Sequence, residues 1–90
     1  MEIKVEKAST ERLEELDVHS WPVWEKDISE FPWDYKEPEI FYVVEGKAIL
    51  NPMGDGKVVE IEEGDIVTIP KGMKCYWKVT EKIKKHYNFG

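Results

Sequence analysis

Ninety residues and a mass of 10.6 kDa admit one small domain and no second hydrophobic core. Apolar residues make up 41% and aromatics 12%, with four Trp, which is enough for a core and excludes a disordered chain despite 36% charged residues. A net charge of -6 excludes a uniformly basic grip on nucleic acid, one Cys excludes an internal disulfide or a Cys-built zinc centre, and no apolar run approaches the ~18 residues of a membrane span. The expectation is a single cytoplasmic domain over residues 1–90, without nucleic-acid or membrane partners. Met1 to Lys7 alternates charge with Ile3 and Val5, unlike a signal peptide. Twelve of the 13 cations are Lys and Gln is absent, a balance that fits a thermophile's proteome as well as an ordinary acidic surface.

Glu2 to Lys7 reads as a short edge strand. Ala8-Ser9-Thr10 offers an N-cap and Glu11 sits at the positive end of a short helix, with Leu13 and Leu16 as its buried stripe and Asp17 to Ser20 as its end. From Trp21 the period changes to two, and Trp24, Lys26 and Ile28 share one face. Phe31-Pro32-Trp33 and then Pro38 interrupt the run, since proline cannot donate to a ladder. Ile40 to Val44 is dense in β-branched and aromatic residues, a central strand by propensity. Glu45-Gly46 reads as a turn or bulge before a strand at Lys47 to Leu50, and residues 51 to 56 read as a hairpin loop. Lys57 to Ile61, Asp65 to Ile69, Lys74 to Val79 and Ile83 to Phe89 complete the series. Strands at this spacing, with Gly or Pro between them, predict an all-β sandwich or barrel with one short N-terminal helix.

Two segments narrow the architecture. Gly64 to Gly72 matches G-x5-P-x-G through Gly64, Pro70 and Gly72, and Glu39 to Gly46 matches E-x6-G. These resemble the second cupin motif and the closing half of the first, which implies a cupin-type jelly-roll β-barrel. The glycines permit the positive φ of tight turns and Pro70 fixes a bend. More closely, Trp24-Glu25, Trp33-Asp34-Tyr35, Glu39 and Gly46 look like the first half of the small single-domain cupins similar to (S)-ureidoglycine aminohydrolase. Gly64-Asp65, Pro70, Gly72, Trp77-Lys78-Val79 and Lys84-Lys85-His86-Tyr87 look like the second half. The likeness spans residues 20 to 89, and it is nearest to uncharacterised bacterial members.

The resemblance also implies a metal position, and here the chain departs from the pattern. Carried over residue by residue, the two His and the Glu of the first motif fall on Trp33, Tyr35 and Glu39, and the His of the second falls on Cys75. Trp lacks a lone pair for a cation, neutral Tyr is a poor ligand, and a carboxylate and a thiolate suit different metals. Two donors fall short of the three protein ligands usual in catalytic zinc sites. His19 and His86 match no ligand position. The expectation is therefore no tightly bound metal and no cofactor.

Alternation from Glu39 sends Phe41 and Val43 inward, and Cys75 points the same way as Trp77 and Val79. The expected cavity is walled by Trp24, Trp33, Tyr35, Phe41 and Trp77, with Glu39 and Cys75 as its polar atoms, and suits a sugar-like or an amine-bearing ligand. Packing alone is the better account of Trp77 and Phe41, because small barrels are filled by side chains, and an equal one for Trp24 and Trp33. Glu39 is the candidate catalytic residue, since a carboxylate in a barrel interior is costly unless paired and its burial raises its pKa. Cys75 lacks a cation to make its thiolate and reads as an inert buried thiol, while the Lys82 to Lys85 run reads as a solvated face. Three functions stay open: a small-molecule-binding cupin, an enzyme of the ureidoglycine aminohydrolase type with Glu39 as acid or base, and a structural module that forms a homodimer through the barrel edge.

Overall fold

The strands β1 (Lys4–Lys7), β2 (Val23–Lys26), β3 (Ser29–Asp34), β4 (Glu39–Pro52), β5 (Val59–Glu62), β6 (Asp65–Ile69) and β7 (Lys74–Phe89) are joined in one antiparallel, strongly bent sheet. The structure is a computed structural model and describes residues 2–54 and 56–89. One α-helix, α1 (Thr10–Leu16), precedes a 3-10 turn at Val18–Ser20. The Ser9 hydroxyl accepts from the Arg12 amide at 3.1 Å, and Asp17 closes the helix in the left-handed region at φ 54. Leu13 and Leu16 are only half-buried, so the expected stripe rests lightly on the barrel; the buried anchor of this segment is Val18.

β4 and β7 are the spine. They pair from Glu39↔Phe89 to Pro52↔Cys75, and each runs unbroken where two shorter strands are expected from the sequence. The register shifts between Val43 and Ala48, so Glu45-Gly46 is a bulge inside one strand rather than a turn between two. The bulge divides the sheet. The first half of β4 and the last half of β7 are flanked by β6 with β1 and by β2. The second half of β4 and the first half of β7 are flanked by β5 and by β3. Their inner faces share one core that includes Phe41, Val43, Leu50, Ile61, Ile69, Trp77 and Ile83. This is the all-β architecture expected from the strand spacing, and the jelly roll implied by the cupin resemblance.

Phe31-Pro32-Trp33 does not interrupt the sheet. It lies within β3, where Pro32 sits opposite Tyr76. β3 pairs only with β7, and an edge strand tolerates a residue with no N–H to donate because one side of it has no ladder. A Cβ on Gly46 would stand 2.1 Å from the Lys82 carbonyl oxygen, and its φ is +92. Only glycine lets β4 approach β7 this closely at the fold line.

Candidate functional site

The open end of the barrel holds a cleft of about 210 Å³ lined by Trp24, Phe31, Trp33, Tyr35, Glu39, Trp77, Lys85, Tyr87 and Phe89. Pleat and register account for this assembly. Phe31 is directly opposite Trp77, and Trp33 opposite Cys75, on the β3–β7 pair. Glu39 faces Phe89, and Phe41 faces Tyr87, on the β4–β7 pair. Directly opposed residues of an antiparallel pair project to the same face, so the inward alternation of β4 carries the end of β7 with it. Phe31 and Trp77 stack with ring centroids 5.8 Å apart and planes 12° from parallel. Trp24 meets both edge-on at 6.1 and 6.0 Å. Trp33 and Phe89, 47% and 43% exposed, form the rim.

The floor is an ion pair. Lys85 Nζ donates to Glu39 Oε2 at 2.8 Å, with both side chains buried. The ammonium also lies 3.9 Å from the ring centre of Phe41 and 4.9 Å from those of Trp24 and Trp77. Cation–π contacts with desolvated rings are worth roughly 2 kcal/mol, and here they help hold a charge whose water has been removed. Burial pulls the Lys85 pKa below its ordinary value, against the pull of Glu39 in the other direction. The Trp77 indole N–H donates to the Tyr35 hydroxyl at 3.0 Å. Burial, and secondarily the charge of Glu39, hold the Tyr35 phenol well above its usual range, so it stays a neutral hydroxyl.

Of the expected site residues, Trp24, Trp33, Tyr35, Glu39 and Trp77 meet around the cleft. Phe41 and Cys75 lie in the core beneath it, both without exposed surface. Burial pushes the Cys75 thiol up to about 11, the state of an inert thiol. Two expectations are corrected. The carboxylate is not alone, because Lys85 pairs with it. Lys85 is not part of a solvated face, being 5% exposed. The signal was present in the alternation: Ile83, Lys85, Tyr87 and Phe89 fall on one face of β7 and Lys84 and His86 on the other. Reading the lysines as a charge run hid that period.

Tyr35 is neutral and hydrogen-bonded, Cys75 keeps its proton, and Glu39 is engaged by an ammonium that repels a cation. The donor set does not fit a divalent metal. Among the described residues, no three of His, Cys, Asp and Glu gather in a cluster able to hold one. A second hollow of about 520 Å³ beside β1 and β5 is polar, and its cations Lys7 and Lys47 are paired with Glu62, Asp65 and Glu81. Among the described residues, no helix is long and apolar enough to cross a membrane.

Comparison with known proteins places this geometry. A DUF861 family protein from Thermotoga maritima has 50% sequence identity and a TM-score of 0.94, with 98% of this chain and 99% of that chain covered. The EutQ protein of Clostridium difficile has 26% identity and a TM-score of 0.66 over 97% of this chain and 66% of its own. A DUF861 family protein of unknown function from Pseudomonas syringae has 26% identity and a TM-score of 0.67 over 76% of this chain and 29% of its own. No curated protein matches the chain. The family model of the EutQ-like cupin domain matches residues 13–87, which include every residue of the cleft except Phe89. With its bulged β4–β7 spine and its cleft at one end of the barrel, the chain belongs to the EutQ-like cupin domain family.

Proposed function

We propose that this cupin binds a small organic molecule whose flat or apolar body lies on the aromatic walls and whose polar head meets Lys85 and Glu39. The observation that carries this reading is an open cleft with aromatic walls and a buried ammonium–carboxylate pair at its floor. Nine-tenths-buried charges are rarely retained where packing is the only demand, because apolar residues of similar volume serve as well or better. The cation that the rings suit is already supplied by Lys85, so an amine-bearing ligand meets a like charge. A carbonyl, amide or ureido head is the better match: its oxygen accepts from the ammonium and its N–H groups donate to the carboxylate. At about 210 Å³ the cleft is below the ~300–1,000 Å³ of drug-sized sites, which points to a compact ligand.

The test is a thermal-shift and Trp-fluorescence panel of small sugars, amines, amides, ureido compounds and carbonyls. Amide, ureido or carbonyl members raise the Tm of the wild type, and Trp24→Ala abolishes the rise. A panel with no shift overturns the reading. The matched head groups also favour a second reading, an enzyme of the ureidoglycine aminohydrolase type that works without metal. In it Glu39 and Lys85 exchange a proton with a small ureido substrate. Ammonia release that persists in chelator and is lost in Glu39→Gln supports that enzyme; no release from any ureido compound discards it.

A further inference from the structure

The floor of the cleft brings together a primary amine, a carboxyl group within hydrogen-bond distance and aromatic walls. The Lys85–Glu39 pair has two states of equal net charge: ammonium with carboxylate, or amine with carboxylic acid. In water the first dominates, because ordinary Lys and Glu pKa values lie about six units apart. Among Trp24, Phe41 and Trp77 the Lys85 ammonium loses its hydration, which favours the neutral amine. Burial lowers the Lys85 pKa, in the same sense. A desolvated lysine in an apolar pocket is an activated nucleophile toward carbonyl carbon.

We propose that Lys85 condenses reversibly with a small aldehyde or ketone that enters past Trp33 and Phe89, and that Glu39 carries the proton. The proposal rests on the small-molecule reading above and names the ligand class for the same cleft. In the first step the Nζ lone pair forms a bond to the carbonyl carbon. The C=O π pair moves to oxygen, which takes a proton from nitrogen and gives a carbinolamine. In the second step the Glu39 carboxylic acid protonates the hydroxyl. The C–O bond breaks, water leaves, and the nitrogen lone pair forms C=N. The product is a protonated imine beside the Glu39 carboxylate, so the ion pair of the resting state is restored with nitrogen now bonded to the ligand. No oxidant or reductant is required. The cleft holds roughly seven waters at ~30 Å³ each, room for a carbonyl compound of about that many heavy atoms.

The 90-residue chain is incubated with propanal or benzaldehyde, reduced with sodium borohydride, and read by intact mass and peptide mapping. One propyl or benzyl group on Lys85, formed about tenfold faster than on any exposed lysine, is the expected result, given the activation of a desolvated amine. Labelling that misses Lys85, or spreads evenly over the exposed lysines, overturns the proposal. Glu39→Gln keeps the amine and removes the proton carrier, so the Lys85 adduct forms at least ~10-fold more slowly; an unchanged rate removes Glu39 from the step. Because Lys85→Met alone strands a buried acid, the paired variant Glu39→Gln/Lys85→Met provides the folded control and carries no adduct in the cleft. Propan-1-ol and benzyl alcohol report occupancy separately, through Trp fluorescence. Alcohol binding without an adduct overturns the imine and leaves the binding reading standing; failure of both alcohols and aldehydes overturns the two together.

Discussion

Lys85 and Glu39 are each tolerable only because of the other. Removing one partner of a buried ion pair leaves a charge with neither water nor counter-ion, at a cost of roughly 3–5 kcal/mol, whereas replacing both with apolar groups is often neutral. Lys85→Met should lower unfolding free energy by about 3 kcal/mol in urea titration, and Glu39→Leu/Lys85→Met should recover most of it. Equal losses in the single and double variants would mean the pair is not coupled. Cys75 makes a pH prediction of definite sign. Its thiol sits at about 11 against an ordinary 9.0, because burial disfavours the thiolate. The folded chain therefore keeps a proton that the unfolded chain releases. This contribution to stability is complete below pH 9 and is lost as pH rises through 11. Urea midpoints of the wild type should fall relative to Cys75→Ala across that window, and a constant difference would show that burial does not control the thiol. Trp24, Trp33, Tyr35, Glu39 and Trp77 were legible as cleft residues because the cupin resemblance, carried over position by position, and strand alternation placed them. Lys85, Tyr87 and Phe89 were missed because the run of lysines masked their alternation, and Phe31 because its direction depends on β3 pairing with β7.

The long strands β4 and β7 carry the fold through a single close approach. At Gly46 a methyl group meets backbone, the Lys82 carbonyl and the Ile83 Cα, which no rotamer change relieves. Gly64 has the same sign of φ at +93 but open space around its Cβ position. Gly64→Ala should therefore cost about 1–2 kcal/mol, the left-handed penalty alone. Gly46→Ala adds overpacking to that penalty and should cost roughly 2–5 kcal/mol. Equilibrium unfolding of the two variants side by side checks the ranking. Strand β1 followed from alternation, β6 from the regular spacing of the strand series, and α1 from its Ser9 cap, because those signals are local. The merging of Ile40–Val44 with Lys47–Leu50, and of Lys74–Val79 with Ile83–Phe89, was hidden by Gly46 and by the polar stretch Thr80-Glu81-Lys82. A bulge and a turn share the same residue types, and the partner strand determines which one forms.

One core serves the entire molecule, and its pairing is remote in the chain: Glu39 meets Phe89, and Leu50 meets Trp77. Neither half of the sheet closes before β4 and β7 meet, so loop closure precedes most of the stabilising burial. Folding should be a single cooperative step in the millisecond-to-second range, as for other barrels dominated by distant pairings. Stopped-flow fluorescence of the clustered Trp24 and Trp77 provides the measurement; a microsecond phase carrying the full amplitude would contradict the topology. Local chemistry was sufficient to specify an all-β chain with one capped helix and a glycine at a turn or bulge, since propensity and period reside in single residues and their near neighbours, while the inward Glu39 and the departure from the metal-ligand pattern came from the cupin resemblance. The company each of these keeps was settled by folding alone. A lysine 46 positions away from Glu39 becomes its counter-ion, and rings from β2, β4 and β7 surround that lysine, because contact across strands depends on register and sheet curvature.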